Sequence, residues 1–130
     1  MSTNEGVIRE VLDAHSASVA AAKAAVRKHF AADCVWQQSG IPTTTGPEEA
    51  VALLDSLVES IGLATLDVEY LHVASNDDVV FTERLDWMVT TTGERLGPTM
   101  VVGVTEFRDG KISAWREYFD TSGLASLLES

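Results

Sequence analysis

The sequence predicts an α+β fold in which helices come first and a mostly antiparallel sheet follows. Apolar residues repeat at helical spacing up to Gly62, and from Thr65 onwards they alternate with a period of two. Helices that precede a run of strands indicate the α+β class rather than the alternating α/β class. At 130 residues the chain is long enough for one core with an internal pocket, and we expect a single domain over residues 1–130.

The first half of the chain is predicted to hold three helical segments and one short strand. Asn4–Ala32 is predicted to be helical, with a candidate break at His15–Ser18. A strand at Cys34–Gln38 and a loop at Ser39–Gly46 follow. Pro47 suits the first position of the next helix, and Gly62 can end it. Apolar residues on one face of that helix are Ala50, Leu53, Leu54, Leu57, Val58 and Ile61.

The second half of the chain is predicted to form a sheet. The strands are Thr65–Ala74, Val79–Thr90, Thr99–Arg108 and Lys111–Asp120. The turns between them are Ser75–Asp78, Thr92–Pro98 and the hairpin pair Asp109-Gly110.

The composition excludes several kinds of partner. Acidic residues outnumber basic ones by 20 to 9, which leaves a formal net charge of −11 at neutral pH. Nucleic acid phosphates and anionic lipid surfaces repel such a chain, so we expect no nucleic acid and no membrane partner. No apolar run approaches the roughly 20 residues that span a bilayer, and the polar start MSTNEGVIREVLDAHS does not resemble a signal peptide. The expected location is therefore the cytoplasm.

Cysteine and histidine give no sign of a metal or cofactor site. Cys34 is the only cysteine, so the sequence predicts neither an intrachain disulfide nor a thiolate metal cluster. His15, His29 and His72 do not lie at a spacing typical of metal ligands. We interpret these four residues as structural, and we expect no metal and no cofactor.

Two of the predicted strands carry charged side chains among apolar ones. The residues that share these faces are Arg84, Asp86 and Met88 on one strand and Trp115, Glu117 and Phe119 on the other. If both faces point inward, a guanidinium and two carboxyls share one apolar pocket. Two carboxylates repel one another at close range, so a pair of neighbouring carboxyls tends to keep one proton between them. An arginine can bind both carboxyls. From spacing alone, a surface ion pair between Arg84 and Asp86 remains the alternative.

Two segments of the chain resemble the limonene-1,2-epoxide hydrolase family. They are HVASNDDVVFTERLD (His72–Asp86) and GVTEFRDGKISAWREYFD (Gly103–Asp120), which resemble the T-E-R-x-D and W-R-D-Y-F-D patterns of that family, the second with a glutamate at its third position. The order of elements is also similar, with a WQQ strand and a GPEEA helix start. The resemblance implies the cone-shaped fold of nuclear transport factor, ketosteroid isomerase and scytalone dehydratase, with helices on a curved mixed sheet around a deep pocket. It also implies a cofactor-independent hydrolase that adds water to a small apolar epoxide in one acid–base step.

The resemblance implies roles for five positions. Asp86 would protonate the epoxide oxygen, Glu117 would take a proton from the attacking water, and Arg84 would bridge the two. Trp36 and Gln38 fall on the pair that holds the water. Further candidates for the substrate pocket are Leu57, Met88, Trp115 and Phe119.

Three of these five positions differ from the family. Glu117 stands in place of an aspartate, Gln38 in place of an asparagine and Trp36 in place of a tyrosine. An indole N–H can only donate a hydrogen bond, whereas a phenol can also accept one from water. The larger indole predicts a different or slimmer substrate than that of the family.

Two other functions fit the same fold. One is a proton-shuttling enzyme like ketosteroid isomerase or the polyketide cyclases, and the other is a dimeric ligand-binding module without catalysis. Arg84 argues against the isomerase, because a nearby cation lowers the pKa of a carboxylic acid that must stay neutral to donate to an oxyanion.

The outer face of the predicted sheet is apolar, which predicts a homodimer. The residues that form this face are Phe81, Leu85 and Trp87 on one strand and Met100, Val102 and Val104 on its neighbour.

Overall fold

The computed structural model describes residues 3–122, and over these residues the chain forms three helices and a six-stranded mixed sheet. The helices are α1 (Thr3–Ala17), α2 (Val19–His29) and α3 (Pro47–Ile61). The strands are β1 (Phe30–Gln38), β2 (Ile41–Thr45), β3 (Leu63–Asn76), β4 (Val79–Thr90), β5 (Arg95–Arg108) and β6 (Lys111–Tyr118). The sheet order is β2-β1-β6-β5-β4-β3, with β1 and β6 parallel and the other pairs antiparallel. The predicted α+β class is confirmed.

The break between the first two helices lies at Ser18, as predicted. Its backbone is extended, with a φ of −171°, and its hydroxyl accepts a hydrogen bond from the backbone N–H of Ala21. This cap begins α2 and lets it fold back against α1. No helix of the described residues is long and apolar enough to cross a membrane.

Helix α2 ends at His29, three residues before the predicted end at Ala32. Residues 30–32 were expected to be helical but begin β1, where Phe30 pairs with Ile112 of β6. The Phe30 ring packs edge-on against the rings of Trp36 and Trp115, at centroid distances of 5.8 and 6.2 Å. These contacts between distant parts of the chain outweigh the helix preference of the alanine-rich segment.

The predicted loop at Ser39–Gly46 is also corrected, because its central part is strand β2. Thr44 is buried and pairs with Trp36, and Gly46 leads into α3 with a φ of 83°. A proline such as Pro42 is tolerated in this strand because β2 lies at the edge of the sheet, where no neighbour needs its missing N–H.

Helix α3 has the predicted bounds. Gly62 follows it in the left-handed conformation, with a φ of 66°, and its N–H binds the carbonyl of Val58. Among the strands, β4 has the predicted bounds, while β5 begins at Arg95 inside the predicted Thr92–Pro98 turn. Pairing with β4 extends the start of β5, since Met88 pairs with Leu96 and Val89 pairs with Arg95. At the other end, β6 stops at Tyr118 rather than at Asp120.

The core lies between the helices and the inner face of the sheet. Trp36 of β1 and Trp115 of β6 pair directly across the parallel strands, and their rings stack at 5.1 Å with an interplanar angle of 10°. The register places Gln38 opposite Glu117 on the same two strands. This parallel pair therefore forms one wall of an internal pocket.

Candidate active site

A pocket of about 320 Å³ lies between the helices and the inner face of the sheet. Its wall includes every residue that the sequence singled out as a candidate: Trp36, Gln38, Leu57, Arg84, Asp86, Met88, Trp115, Glu117 and Phe119. The remaining wall is mostly apolar. The two charged strand faces therefore do point inward, and Arg84 is not part of a surface ion pair.

The guanidinium of Arg84 joins the two carboxyls inside this pocket. Its Nε and Nη2 donate to the two oxygens of Asp86, at 3.1 and 2.8 Å. The same Nη2 also donates to Glu117 Oε2, and Nη1 donates to the hydroxyl of Thr82 at 3.1 Å. Only 1% of the Arg84 side chain is exposed. Burial lowers the pKa of Arg84, but the two carboxylates more than offset this effect and hold that pKa above its ordinary value.

The two carboxyls differ in their exposure. The side chain of Glu117 is 7% exposed, and its Oε1 accepts a hydrogen bond from the indole N–H of Trp36 at 2.9 Å. The side chain of Asp86 is 21% exposed and faces the pocket. Burial raises the pKa of Asp86 and outweighs the lowering by Arg84, while the charge of Glu117 raises it further. The net shift of the Asp86 pKa is therefore upwards, although the nearby cation alone predicts the opposite.

The indole of Trp36 has only one polar hydrogen, and Glu117 accepts it. Trp36 thus orients the carboxylate. The lengthened glutamate and the indole fit one another, because the N–H reaches the carboxylate across the paired strands β1 and β6. Gln38 lines the pocket beside them.

Gly103 of β5 leaves the space that the guanidinium occupies. A Cβ at this position would lie 2.9 Å from Arg84 Nη1 and 2.7 Å from the hydroxyl of Thr82. Both distances are too short for real contacts, so any side chain at residue 103 would displace the arginine. This requirement was not recognised in the sequence, where nothing distinguishes Gly103 from other glycines.

Sequence reasoning also missed the contribution of α1 to the pocket. Leu12 and His15 lie in its wall, although His15 was interpreted as structural. They reach the pocket because α1 packs on β3, where the hydroxyl of Ser16 donates to the carbonyl of Leu66 at 2.9 Å. No local sequence signal indicates a contact between residues so far apart in the chain.

The other residues that we interpreted as structural lie outside the pocket wall. Cys34 is buried, and burial raises the pKa of its thiol to about 12. His29 pairs with Glu10 at 2.6 Å, and His72 pairs with Glu83 at 2.8 Å. Among residues 3–122, no group of three or more His, Cys, Asp or Glu side chains is arranged to hold a metal ion.

Comparison with known proteins finds similarity to epoxide hydrolases. The family model described as limonene-1,2-epoxide hydrolase catalytic domain matches residues 5–129. Epoxide hydrolase EphG of Mycobacterium tuberculosis (strain ATCC 25618 / H37Rv) is 29% identical over 92 residues, which cover 68% of this chain and 56% of that protein. The chain thus spans little more than half the length of this curated relative.

Two solved structures show the same fold. An LEH-like epoxide hydrolase from M. tuberculosis superposes with a TM-score of 0.74 at 24% identity, covering 95% of this chain and 86% of that one. An NTF2-like protein of unknown function from Burkholderia pseudomallei superposes with a TM-score of 0.84 at 18% identity, covering 100% of both chains. The predicted cone-shaped fold is confirmed, and it is not restricted to epoxide hydrolases.

Proposed function

The chain belongs to the limonene-1,2-epoxide hydrolase family, and from this premise we propose that it adds water to a small apolar epoxide in one acid–base step. The product would be a vicinal diol, and no cofactor would take part. Membership of the family supports epoxide hydrolase activity in general. The observation that carries the finer proposal is the single buried guanidinium of Arg84 hydrogen-bonded to both Asp86 and Glu117.

Asp86 is the proposed acid. It faces the pocket, and the upward shift of its pKa makes it easier to protonate than an exposed aspartate, as a group that gives a proton to the epoxide oxygen requires. Protonation of that oxygen as its bond to carbon breaks turns a poor leaving group into a hydroxyl. Ring strain supplies the remaining driving force.

Glu117 is the proposed base. Its two oxygens accept hydrogen bonds from Arg84 and from the N–H of Trp36, and each oxygen keeps a further lone pair. One of these lone pairs takes a proton from water while the water oxygen forms its bond to the epoxide carbon. A proton then passes from Glu117 back to Asp86 through solvent, which restores the resting state.

The pocket argues for a small apolar substrate. Its volume of about 320 Å³ is near the lower end for ligand sites, and its wall is mostly hydrocarbon. Leu57, Met88 and Phe119 are the proposed contacts for the apolar part of the substrate, and Gln38 is a proposed donor to the water oxygen.

The test is to incubate the protein with a panel of cyclic and linear epoxides and measure the diol. A single turnover in ¹⁸O water should put the label into the diol at once. If the first diol is unlabelled and the label enters Glu117, a covalent ester forms and the one-step mechanism is wrong. A folded protein that hydrolyses none of the epoxides would contradict the proposed function.

A second candidate is a proton-shuttling isomerase or cyclase on the same fold. The raised pKa of Asp86 favours it, because such enzymes need a neutral carboxylic acid as a donor. Exchange of a ketone's α-hydrogens for deuterium in the presence of the protein, with no diol from epoxides, would select this candidate. A folded protein that binds small ligands but catalyses neither reaction would instead be a ligand-binding module.

We also propose that the protein works as a homodimer in the cytoplasm. Exposed apolar side chains on the outer face of the sheet support the dimer: Phe81, Met100 and Val102. Cell fractionation tests the location, and sedimentation tests the dimer.

A further inference from the structure

The turn that follows β1 contacts the segment that follows β6. The parallel pairing of these two strands ends with Gln38 and Glu117. Ser39 extends the contact by one residue, since its backbone N–H donates to the carbonyl of Glu117 at 3.1 Å. Its hydroxyl oxygen also accepts the backbone N–H of Phe119, at 3.2 Å. Ser39 therefore holds the chain on both sides of Tyr118, the last residue of β6.

The hydroxyl of Ser39 takes the place of a backbone acceptor. In a regular parallel ladder, the residue that donates to the carbonyl of Glu117 would also accept the N–H of Phe119 with its own carbonyl. Here the chain turns at Gly40, with a φ of 70°, and the side-chain oxygen is the acceptor instead. Among residues 3–122, Phe119 forms no second hydrogen bond. The hydroxyl thus fixes the backbone of Phe119 where strand pairing has ended.

This contact joins two parts of the pocket wall. Gly40, Ile41 and Pro42 follow Ser39 directly and line the pocket, and Phe119 lines it from the other side of the contact. The half-buried ring of Phe119 is one of the proposed contacts for the apolar part of the substrate. Ser39 itself does not line the pocket, so any effect it has on a substrate must pass through these neighbours.

Resting on the proposed function, we propose that Ser39 is a positioning residue for substrate binding, whose hydroxyl holds Phe119 against the hydrocarbon part of the epoxide. Glu117 depends much less on this hydroxyl. The distance of 3.4 Å between the hydroxyl and the carbonyl of Glu117 is long for a hydrogen bond. The N–H of Ser39 and the pairing with Gly103 hold that carbonyl and its strand without it. The hydroxyl therefore serves binding rather than the acid–base step.

Ser39→Ala removes the hydroxyl and keeps the backbone bond to Glu117. We expect it to raise KM for cyclohexene oxide by about 3- to 10-fold, because the N–H of Phe119 loses its partner and the ring is no longer held in the wall. The value of kcat should change less than about twofold, as expected when an interaction contributes equally to the bound substrate and the transition state. Ser39→Thr keeps a hydroxyl at this position and should restore most of the lost affinity.

Two further variants test the route of the effect. Ser113→Ala is the matched control, since the hydroxyl of Ser113 on β6 donates to the carbonyl of Glu106 at 3.2 Å and lies outside the pocket wall. It should leave KM unchanged. In a Phe119→Ala background, Ser39→Ala should raise KM no further, because the ring through which it acts is gone. An unchanged KM in Ser39→Ala, or additive increases in the double variant, would overturn the proposal.

Amide hydrogen exchange tests the contact without a substrate. The N–H of Phe119 should be protected in the wild type and in Ser39→Thr, and should exchange faster in Ser39→Ala. The N–H at position 39 should stay protected in all three, which separates loss of this one bond from general loosening. Equal exchange of the Phe119 amide in the wild type and Ser39→Ala would overturn the proposal.

Failure of the proposed function has a different result. If no epoxide is hydrolysed, the dissociation constant of cyclohexanol takes the place of KM, measured through the fluorescence of Trp36 and Trp115 in the pocket wall. The same ranking of the variants would support the role of Ser39 in ligand binding, and only the proposed hydrolysis would fail. A dissociation constant that does not change in Ser39→Ala would overturn the proposal itself.

Discussion

At the scale of single residues, one guanidinium makes the two carboxyls unequal. Arg84 binds both of them, but Glu117 is almost fully buried and also held by Trp36, while Asp86 retains contact with the pocket. Groups with opposite roles in acid–base chemistry need such different environments.

Asp86→Asn should abolish turnover while the fold remains intact. The amide keeps the shape of the side chain and can still accept from Arg84, but it has no acidic proton to give. Arg84→Lys should be severe for another reason, since an ammonium cannot bind both carboxyls in one plane. Diol formation measures both effects, with circular dichroism as the control for folding. A rate near that of the wild type in either variant would contradict the role assigned to that residue, which is the acid for Asp86 and the bridge between the carboxyls for Arg84.

Glu117→Gln should lower kcat by about 10²–10⁴-fold, the usual contribution of a positioned base. Glu117→Asp should also impair the enzyme, because the shorter carboxylate cannot keep its bonds to both Arg84 and Trp36. The pair Glu117→Asp with Gln38→Asn should recover part of the loss, since the water would then be held for the shorter side chain. No recovery in the pair would show that Gln38 does not hold the water.

The rate should decline as the pH rises through the pKa of Asp86, because the ionised form has no proton to donate. Burial raises this pKa, so the decline should begin above the ordinary aspartate value of about 3.9. Since the pKa is higher in the folded state than in the unfolded state, the related stabilisation is complete at low pH and lost as the pH rises. Thermal unfolding of the wild type against Asp86→Asn over pH checks the sign, because the amide cannot titrate. As the pH rises, the Tm of the wild type should fall relative to the Tm of Asp86→Asn. A difference that stays constant over pH would contradict the expectation.

At the scale of elements, close approach between neighbouring strands holds the arginine. Strand β5 lies between β4 and β6, and its Gly103 pairs with Thr82 on one side and with Glu117 on the other. The backbone of β5 therefore acts as a floor under the guanidinium. The position should tolerate no side chain.

Gly103→Ala should destabilise the protein by about 1–3 kcal/mol, because the new methyl group overpacks the core against Arg84 and Thr82. It should also lower kcat, because both carboxyls move with the guanidinium. Gly6→Ala in α1 is the matched control, since nothing lies within 4 Å of a Cβ there. That change should stabilise by about 0.5–1 kcal/mol through helix propensity. Chemical denaturation measures both, and equal effects from the two substitutions would contradict the close-contact argument.

At the scale of the whole molecule, the two faces of the sheet differ in what covers them. The helices cover the inner face around the pocket, whereas the outer face exposes apolar side chains. These side chains are Phe81, Met100, Val102 and Tyr118. The single domain expected over residues 1–130 stays a prediction, which one cooperative unfolding transition would support.

The homodimer should form through this outer face. Val102→Glu should convert the protein from a dimer to a monomer, as measured by sedimentation, because a carboxylate is costly in an apolar interface. Val58→Glu on α3 is the matched control, since Val58 is 37% exposed and Val102 is 42% exposed. The control should remain dimeric. A wild-type protein that sediments as a monomer at micromolar concentration would end the proposal.

Local patterns were sufficient for much of this fold and for the candidate residues. The bounds of α3 and β4 follow from helical and alternating periodicity together with Gly62, and they are as predicted. The spacing of Arg84 and Asp86 places them on one face of one strand whatever the rest of the chain does. Such features depend on neighbours within a few residues, which the sequence shows directly.

By itself, the sequence determined the α+β class, the resemblance to the family and the charged residues that share one strand face. Only the tertiary structure decided that Phe30 leaves the helix, that Ile41–Thr45 is a strand, that Trp36 binds Glu117 and that His15 lines the pocket. It also decided the sign of the pKa shift of Asp86, where burial exceeds the effect of Arg84. The physical reason is the same in each case. Packing and desolvation depend on residues that are far apart in the chain, and no local pattern records which of them will meet.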